Sequence, residues 1–128
     1  MSVNYTIRRW GDVTVLDLGG RISLGELLAF GDGTAMVLHD LVRGLVQKGS
    51  RKLLLNLRHV TYVDSSGLGE LVACRTTLQN HEGELRVCTA TPAVEELLRV
   101  THLDTVLNLD KDEATSLQWF AARRRAAA

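Results

Sequence analysis

The feature that most limits what this chain can fold into is Lys52-Leu53-Leu54-Leu55-Asn56-Leu57, an almost unbroken apolar run of strand length. A strand with water on one face alternates polar and apolar residues. A run without that alternation suits a strand covered on both faces, as at the centre of a parallel sheet. After a short connection, Asp64-Ser65-Ser66-Gly67 leads into a segment whose Leu68, Leu71, Val72 and Leu78 share related helical faces, and His81-Glu82-Gly83 turns out of it.

The flanking segments switch repeatedly between strand and helix periods. Val3 to Arg8 and Val13 to Leu18 alternate around a turn at Trp10-Gly11-Asp12, which predicts an opening hairpin ended by Gly19-Gly20. Ser23 to Gly33 reads as a short helix between loops or as an apolar loop. From Thr34, a suitable N-cap, Val37, Leu38, Leu41, Val42, Leu45 and Val46 recur at helical spacing, with Gly49 as the C-terminal cap. Leu85 to Cys88 is a predicted strand, and Thr91-Pro92 starts a helix through Val94, Leu97 and Leu98. Thr105 to Leu109 is predicted as a final short strand. Asp112 to Ala122 is predicted as a closing helix with Leu117 and Phe120 inward. Strands alternating with helices imply right-handed βαβ units, hence an α/β fold.

At 128 residues the chain fits one domain able to bury a core without staples. Fifteen basic residues balance fifteen acidic ones, which argues against a direct nucleic-acid binder or a membrane-surface protein. No stretch approaches the roughly 20 apolar residues of a membrane span, and the N-terminus lacks the regions of a signal peptide. Cys74 and Cys88 stand outside any CxxC or Cys/His cluster, so buried reduced thiols are expected, and the four histidines share no ligand spacing. These readings place the protein in the cytoplasm, with no metal and no cofactor. Arg123-Arg124-Arg125 opens a short solvated tail, residues 123–128, after a domain of residues 1–122.

The junction at Asp64 is the one place where chemistry is expected. Backbone amides at a helix start lack intrahelical partners and carry partial positive charge, so a phosphate there meets free donors and a favourable field. Gly67 and Gly69 are expected to keep the first turn open to another protein. An aspartate and a serine are also ordinary N-caps, and Gly67 serves equally for close helix–sheet packing. Spacing alone does not separate a phosphosite from a well-capped helix. Catalytic patterns fit worse: the GxSxG elbow, the GxxxxGK[ST] loop and the third glycine of the dinucleotide fingerprint are all missing.

Leu54-Leu55-Asn56-Leu57, Val63-Asp64-Ser65-Ser66-Gly67-Leu68-Gly69, Gly83 to Val87 and Thr91 to Leu98 together resemble the bacterial STAS-domain anti-sigma-factor antagonists of the sporulation and general-stress type. The resemblance implies a STAS fold: one domain with a mixed, mostly parallel sheet of about five strands packed on about four helices. It implies partner switching, in which an anti-sigma factor with serine-kinase activity phosphorylates Ser65 and a PP2C-type phosphatase reverses the step. The unmodified chain, a monomer when free, would bind the anti-sigma factor and release a sigma factor. It would be a substrate rather than an enzyme. Asp64, Ser65, Ser66, Gly67, Leu68 and Gly69 would form the docking loop. The chain departs from the family pattern where Arg21 follows the second strand in place of an acidic residue and extra residues precede Thr34. That segment is expected near Ser65, so Arg21 joins the partner-binding set. A STAS scaffold or a small-ligand or nucleotide sensor is the alternative.

Overall fold

The computed structural model describes residues 4–22, 28–29, 35–36 and 38–127. Its elements are β1 (Asn4–Trp10), β2 (Val13–Ile22), β3 (Leu28–Ala29), β4 (Ala35–Met36), α1 (Leu38–Gln47), β5 (Lys52–Val63), α2 (Ser65–Asn80), β6 (Glu84–Cys88), α3 (Pro92–Val100), α4 (Leu103–Val106), β7 (Leu109–Asp110) and α5 (Glu113–Ala127). A five-stranded sheet runs β1-β2-β5-β6-β7. Within it β1 is antiparallel to β2 and the other pairings are parallel; β3 and β4 form a separate antiparallel pair. The expected α/β architecture is present, with a mostly parallel five-stranded sheet and, among the described residues, five helices where about four were expected.

The leucine run behaves as its lack of alternation requires. Leu53, Leu55 and Leu57 join the main core with Leu41 of α1, Leu71 of α2 and Leu98 of α3. Leu54 points the other way, into a smaller core with Val13, Val15, Cys88 and Phe120 of α5. Burying one leucine is worth about 1.5–3 kcal/mol, so the central strand anchors both layers. The helix ends follow local chemistry. Gly49 takes φ +107°, Gly49 N–H donates to Val46 C=O at 3.0 Å, and Ser50 N–H donates to Leu45 C=O at 3.0 Å. These bonds satisfy the last carbonyls of α1. Thr91 precedes Pro92 as expected, but its hydroxyl donates to Val60 C=O at 3.3 Å rather than capping α3.

Several boundaries differ from the sequence reading. β2 does not stop at Gly19-Gly20, and β5 does not end near Leu57; the two strands stay paired as far as Ile22 and Val63. Their register shifts twice, each time with one more residue on β5 than on β2, and Gly20 takes up one of the bends with φ +89°. Thr61 Oγ1 donates to the Gly20 carbonyl at 3.2 Å beside it. Thr105 to Leu109 is not a strand. Leu103–Val106 forms one helical turn, and only Leu109 and Asp110 pair with β6. Left-handed backbone at His102 and Asn108 brackets the turn, and Leu107 is driven into the core. The closing helix is capped by Asp112, whose carboxylate accepts from Thr115 N–H at 2.8 Å, and it continues past Ala122 to Ala127. Arg123 Nη2 donates to Glu84 Oε1 at 2.9 Å, and its guanidinium lies 5.0 Å from the Trp119 ring centre. Thr34, Val37 and all of Ser23 to Gly33 except Leu28–Ala29 lie outside the described residues.

Candidate functional site

β5 delivers the chain to the carboxyl end of the sheet, where α2 begins. Asp64 is the N-cap in extended backbone (φ −104°, ψ −174°). One of its oxygens, Oδ1, accepts from Gly67 N–H at 2.8 Å and from the Ser66 hydroxyl at 2.7 Å. The Ser66 bond, followed by the Gly67 amide, holds the Asp64 carboxyl below the usual carboxylate range. The first intrahelical bond, Leu68 N–H to Asp64 C=O, is 2.9 Å.

This arrangement separates the two serines. Ser66 is partly buried and serves the cap. Ser65 is exposed, and no bond within the described residues restrains its hydroxyl. It stands at the first helical position, where the amides face outward and the dipole favours an anion. A group transferred to that oxygen meets no packing barrier.

The glycines also divide. Gly67 does not open the turn to a partner: it is buried, and a Cβ there would fall 2.0 Å from the Ile22 carbonyl oxygen and 3.1 Å from Val63 Cγ1. Its role is the close helix–sheet approach. Asp64 N–H donates to the same Ile22 carbonyl at 3.4 Å, so β2 directly seats the start of α2. Gly69 is exposed with open space above it and does leave the surface bare. Leu68 keeps 8% of its surface and packs into the main core, where it anchors the first turn of α2.

Arg21, expected just after the second strand, lies instead within β2, one residue before Ile22 on the strand that seats α2. Its cross-strand neighbour is Tyr62, and its guanidinium carbon sits 4.2 Å from the Tyr62 ring centre. Tyr62 was not singled out from sequence. Its signal was available only once β5 was known to run on to Val63, because the buried Val60 and Val63 leave Thr61 and Tyr62 facing water. Cys74 and Cys88 are free and buried.

A family model described as the STAS domain matches residues 11–116, which includes the whole Asp64 turn. The anti-sigma-B factor antagonist of Staphylococcus aureus is 28% identical over 87 residues, covering 68% of this chain and 78% of that protein. Two solved structures share the fold. An anti-sigma factor antagonist from Mycobacterium paratuberculosis has a TM-score of 0.74 at 21% identity, covering 91% of this chain and 92% of that one. The phosphorylated form of the Bacillus cell fate determinant SpoIIAA has a TM-score of 0.60 at 12% identity, covering 91% and 98%. With the family model spanning residues 11–116, which include the buried main core and the capped turn, the chain belongs to the STAS domain family.

Proposed function

We propose that this chain is an anti-sigma-factor antagonist controlled by phosphorylation of Ser65. Unmodified, it binds an anti-sigma factor that is also a serine kinase, and a sigma factor is freed. The kinase phosphorylates Ser65, the complex dissociates, and a PP2C-type phosphatase restores the starting state. The free protein is a cytoplasmic monomer, and Asp64, Ser65, Ser66 and Gly69 face the partner. The named relative in Staphylococcus aureus and the phosphorylated Bacillus protein of like fold support this reading.

The observation that carries it is the exposed, unrestrained Ser65 beside a serine already committed to the cap. Phosphate adds about −1.5 to −2 charges at neutral pH. The helix terminus accommodates that charge within the fold. A partner surface closed over the turn must instead desolvate it next to the Asp64 carboxylate. The modification is therefore cheap for the free protein and costly for the complex, which is what a binding switch requires.

The test is calorimetric titration of the anti-sigma factor from the same genome into wild type, Ser65→Ala and Ser65→Glu. The expected result is retained binding by Ser65→Ala and a loss of tenfold or more, about 1.4 kcal/mol, for Ser65→Glu. Equal affinity of the Glu variant and wild type would remove the electrostatic basis of the switch.

A further inference from the structure

The two faces of the sheet are covered unequally. Leu55 and Leu57 of β5 point into the main core with α1 and α2, so Leu54, Asn56 and Arg58 take the other face. On that face Phe120 of α5 covers Val13, Val15, Leu54 and Cys88. One row further on, Thr6, Asp17 and Asn56 stand side by side across β1, β2 and β5, and polar residues replace apolar ones. They line a cleft of about 600 Å³, together with Arg58 and His59 of β5 and Glu113 at the start of α5. Thr89 joins them just past the carboxyl end of β6, the end of a parallel sheet at which α/β folds gather their ligands. The cleft is on the face opposite α2, apart from the Ser65 turn.

The charges in this cleft are not equivalent. Arg8 donates to both oxygens of Asp17, at 2.5 and 2.8 Å, and pairs with Glu113. Asp112, the remaining acid of the lining, caps α5. All three carboxylates are therefore engaged, and so is Arg8. Arg58 and His59 are exposed, and within the described residues their side chains bond to nothing. The backbone beneath them is fixed, because Arg58 N–H donates to Asn56 Oδ1 at 3.0 Å. Of the lining residues only Leu18 is apolar, and it is buried, so the cleft offers no surface for a nucleobase or other ring. We propose that the cleft binds a small hydrophilic acid, a carboxylate or a phosphate ester, with its charge on Arg58 and His59 and its polar body against Asn56 and Thr89. A guanidinium matches either oxyanion through paired, charge-assisted hydrogen bonds. The volume is that of a small-molecule site, about 300–1,000 Å³, rather than of a single ion. The site stands whether or not Ser65 is modified.

The test follows backbone amides by NMR while citrate or glycerol 3-phosphate is added, at constant ionic strength, to wild type, Arg58→Gln and Arg43→Gln. Arg43 is exposed on α1, in the opposite layer, and its loss removes the same charge. The expected result is a saturating shift with at least one of the two acids, centred on Asn56 to His59 and on Thr89, with a Kd below about 1 mM. The tighter acid identifies the head group. Arg58→Gln should weaken binding about tenfold or more while the rest of its spectrum stays as in wild type, and Arg43→Gln should bind as wild type does. Shifts that rise without saturating, that weaken equally in both variants, or that centre on Ser65 to Gly67 would overturn the proposal.

Discussion

Gly67→Ala and Gly69→Ala add the same methyl group two residues apart on one helix, and the structure assigns them opposite signs. At Gly67 the new carbon would lie 2.0 Å from the Ile22 carbonyl oxygen and 2.7 Å from its carbon. Even a close C–H···O contact holds these atoms about 3.3–3.6 Å apart, so the overlap exceeds about 1 Å. The obstacle is backbone, which no rotamer change relieves. The first turn of α2 must move off β2, stretching the Asp64–Ile22 hydrogen bond and loosening Leu68 and Val63 in the core. Overpacking of this kind costs about 1–3 kcal/mol and occasionally more. Helix propensity returns about 1 kcal/mol of that. With a backbone overlap this large the cost lies at the upper end, about 3 kcal/mol, so the expected net loss is about 2 kcal/mol. At Gly69 nothing lies within 4 Å, so alanine should stabilise by about 0.5–1 kcal/mol. Urea unfolding measures both. With a slope of about 1.5 kcal/mol per molar, the two midpoints should separate by roughly 2 M with the slope unchanged. Coincident midpoints would refute the claim that β2 seats α2 through the Ile22 carbonyl.

Two further outcomes follow from the second sheet face and the buried thiols. Arg86 donates to both oxygens of Asp110 at 2.8 and 3.0 Å, and Ser116 adds a bond at 2.6 Å. Burial opposes ionisation of Asp110, but the Arg86 and Ser116 bonds outweigh it and hold the carboxyl below its usual range. Its stabilisation is therefore complete above the unfolded carboxyl pKa of about 4, and is lost as pH falls from there through the lower folded value. Asp110→Asn should cost about 3 kcal/mol in urea unfolding at pH 7 and clearly less near pH 2, whereas a pH-independent cost would contradict this assignment. Burial pushes the Cys88 thiol up to about 11 and raises that of Cys74 further. At pH 8 a disulfide-exchange reagent should label the native protein roughly two hundred-fold more slowly than the urea-unfolded chain. Prompt labelling of either cysteine in the native state would mean that its layer opens readily.

What the sequence made legible was set by whether a residue's surroundings are local. The run through Leu57 reads as a central strand because burial on both faces is written in consecutive residues. The second half of β5 was missed because two register shifts replace alternation with Leu57, Val60 and Val63 at intervals of three. The same shifts carried β2 past its glycines. Thr105 to Leu109 was misread because Leu103 and Leu107 meet the core from a single helical turn, while Asn108 adopts φ +55° to reach β6. At the candidate site, the capping aspartate and the helix start were visible in Asp64-Ser65-Ser66-Gly67. Which serine the cap consumes was not, because that depends on one carboxylate oxygen serving both Ser66 and Gly67. For Gly67 the sequence offered both an open turn and close helix–sheet packing, and the choice between them is imposed by a carbonyl on a distant strand.

The central claim is that Ser65, and not Ser66, carries the switch. Its most direct test incubates the protein with ATP and each anti-sigma kinase of the same genome, then maps phosphate by mass spectrometry in wild type, Ser65→Ala and Ser66→Ala. The account predicts one phosphate on Ser65 in wild type and in Ser66→Ala, and none in Ser65→Ala. Phosphate on Ser66 of the wild type, or no modification of the folded protein by any of those kinases in active form, would contradict it.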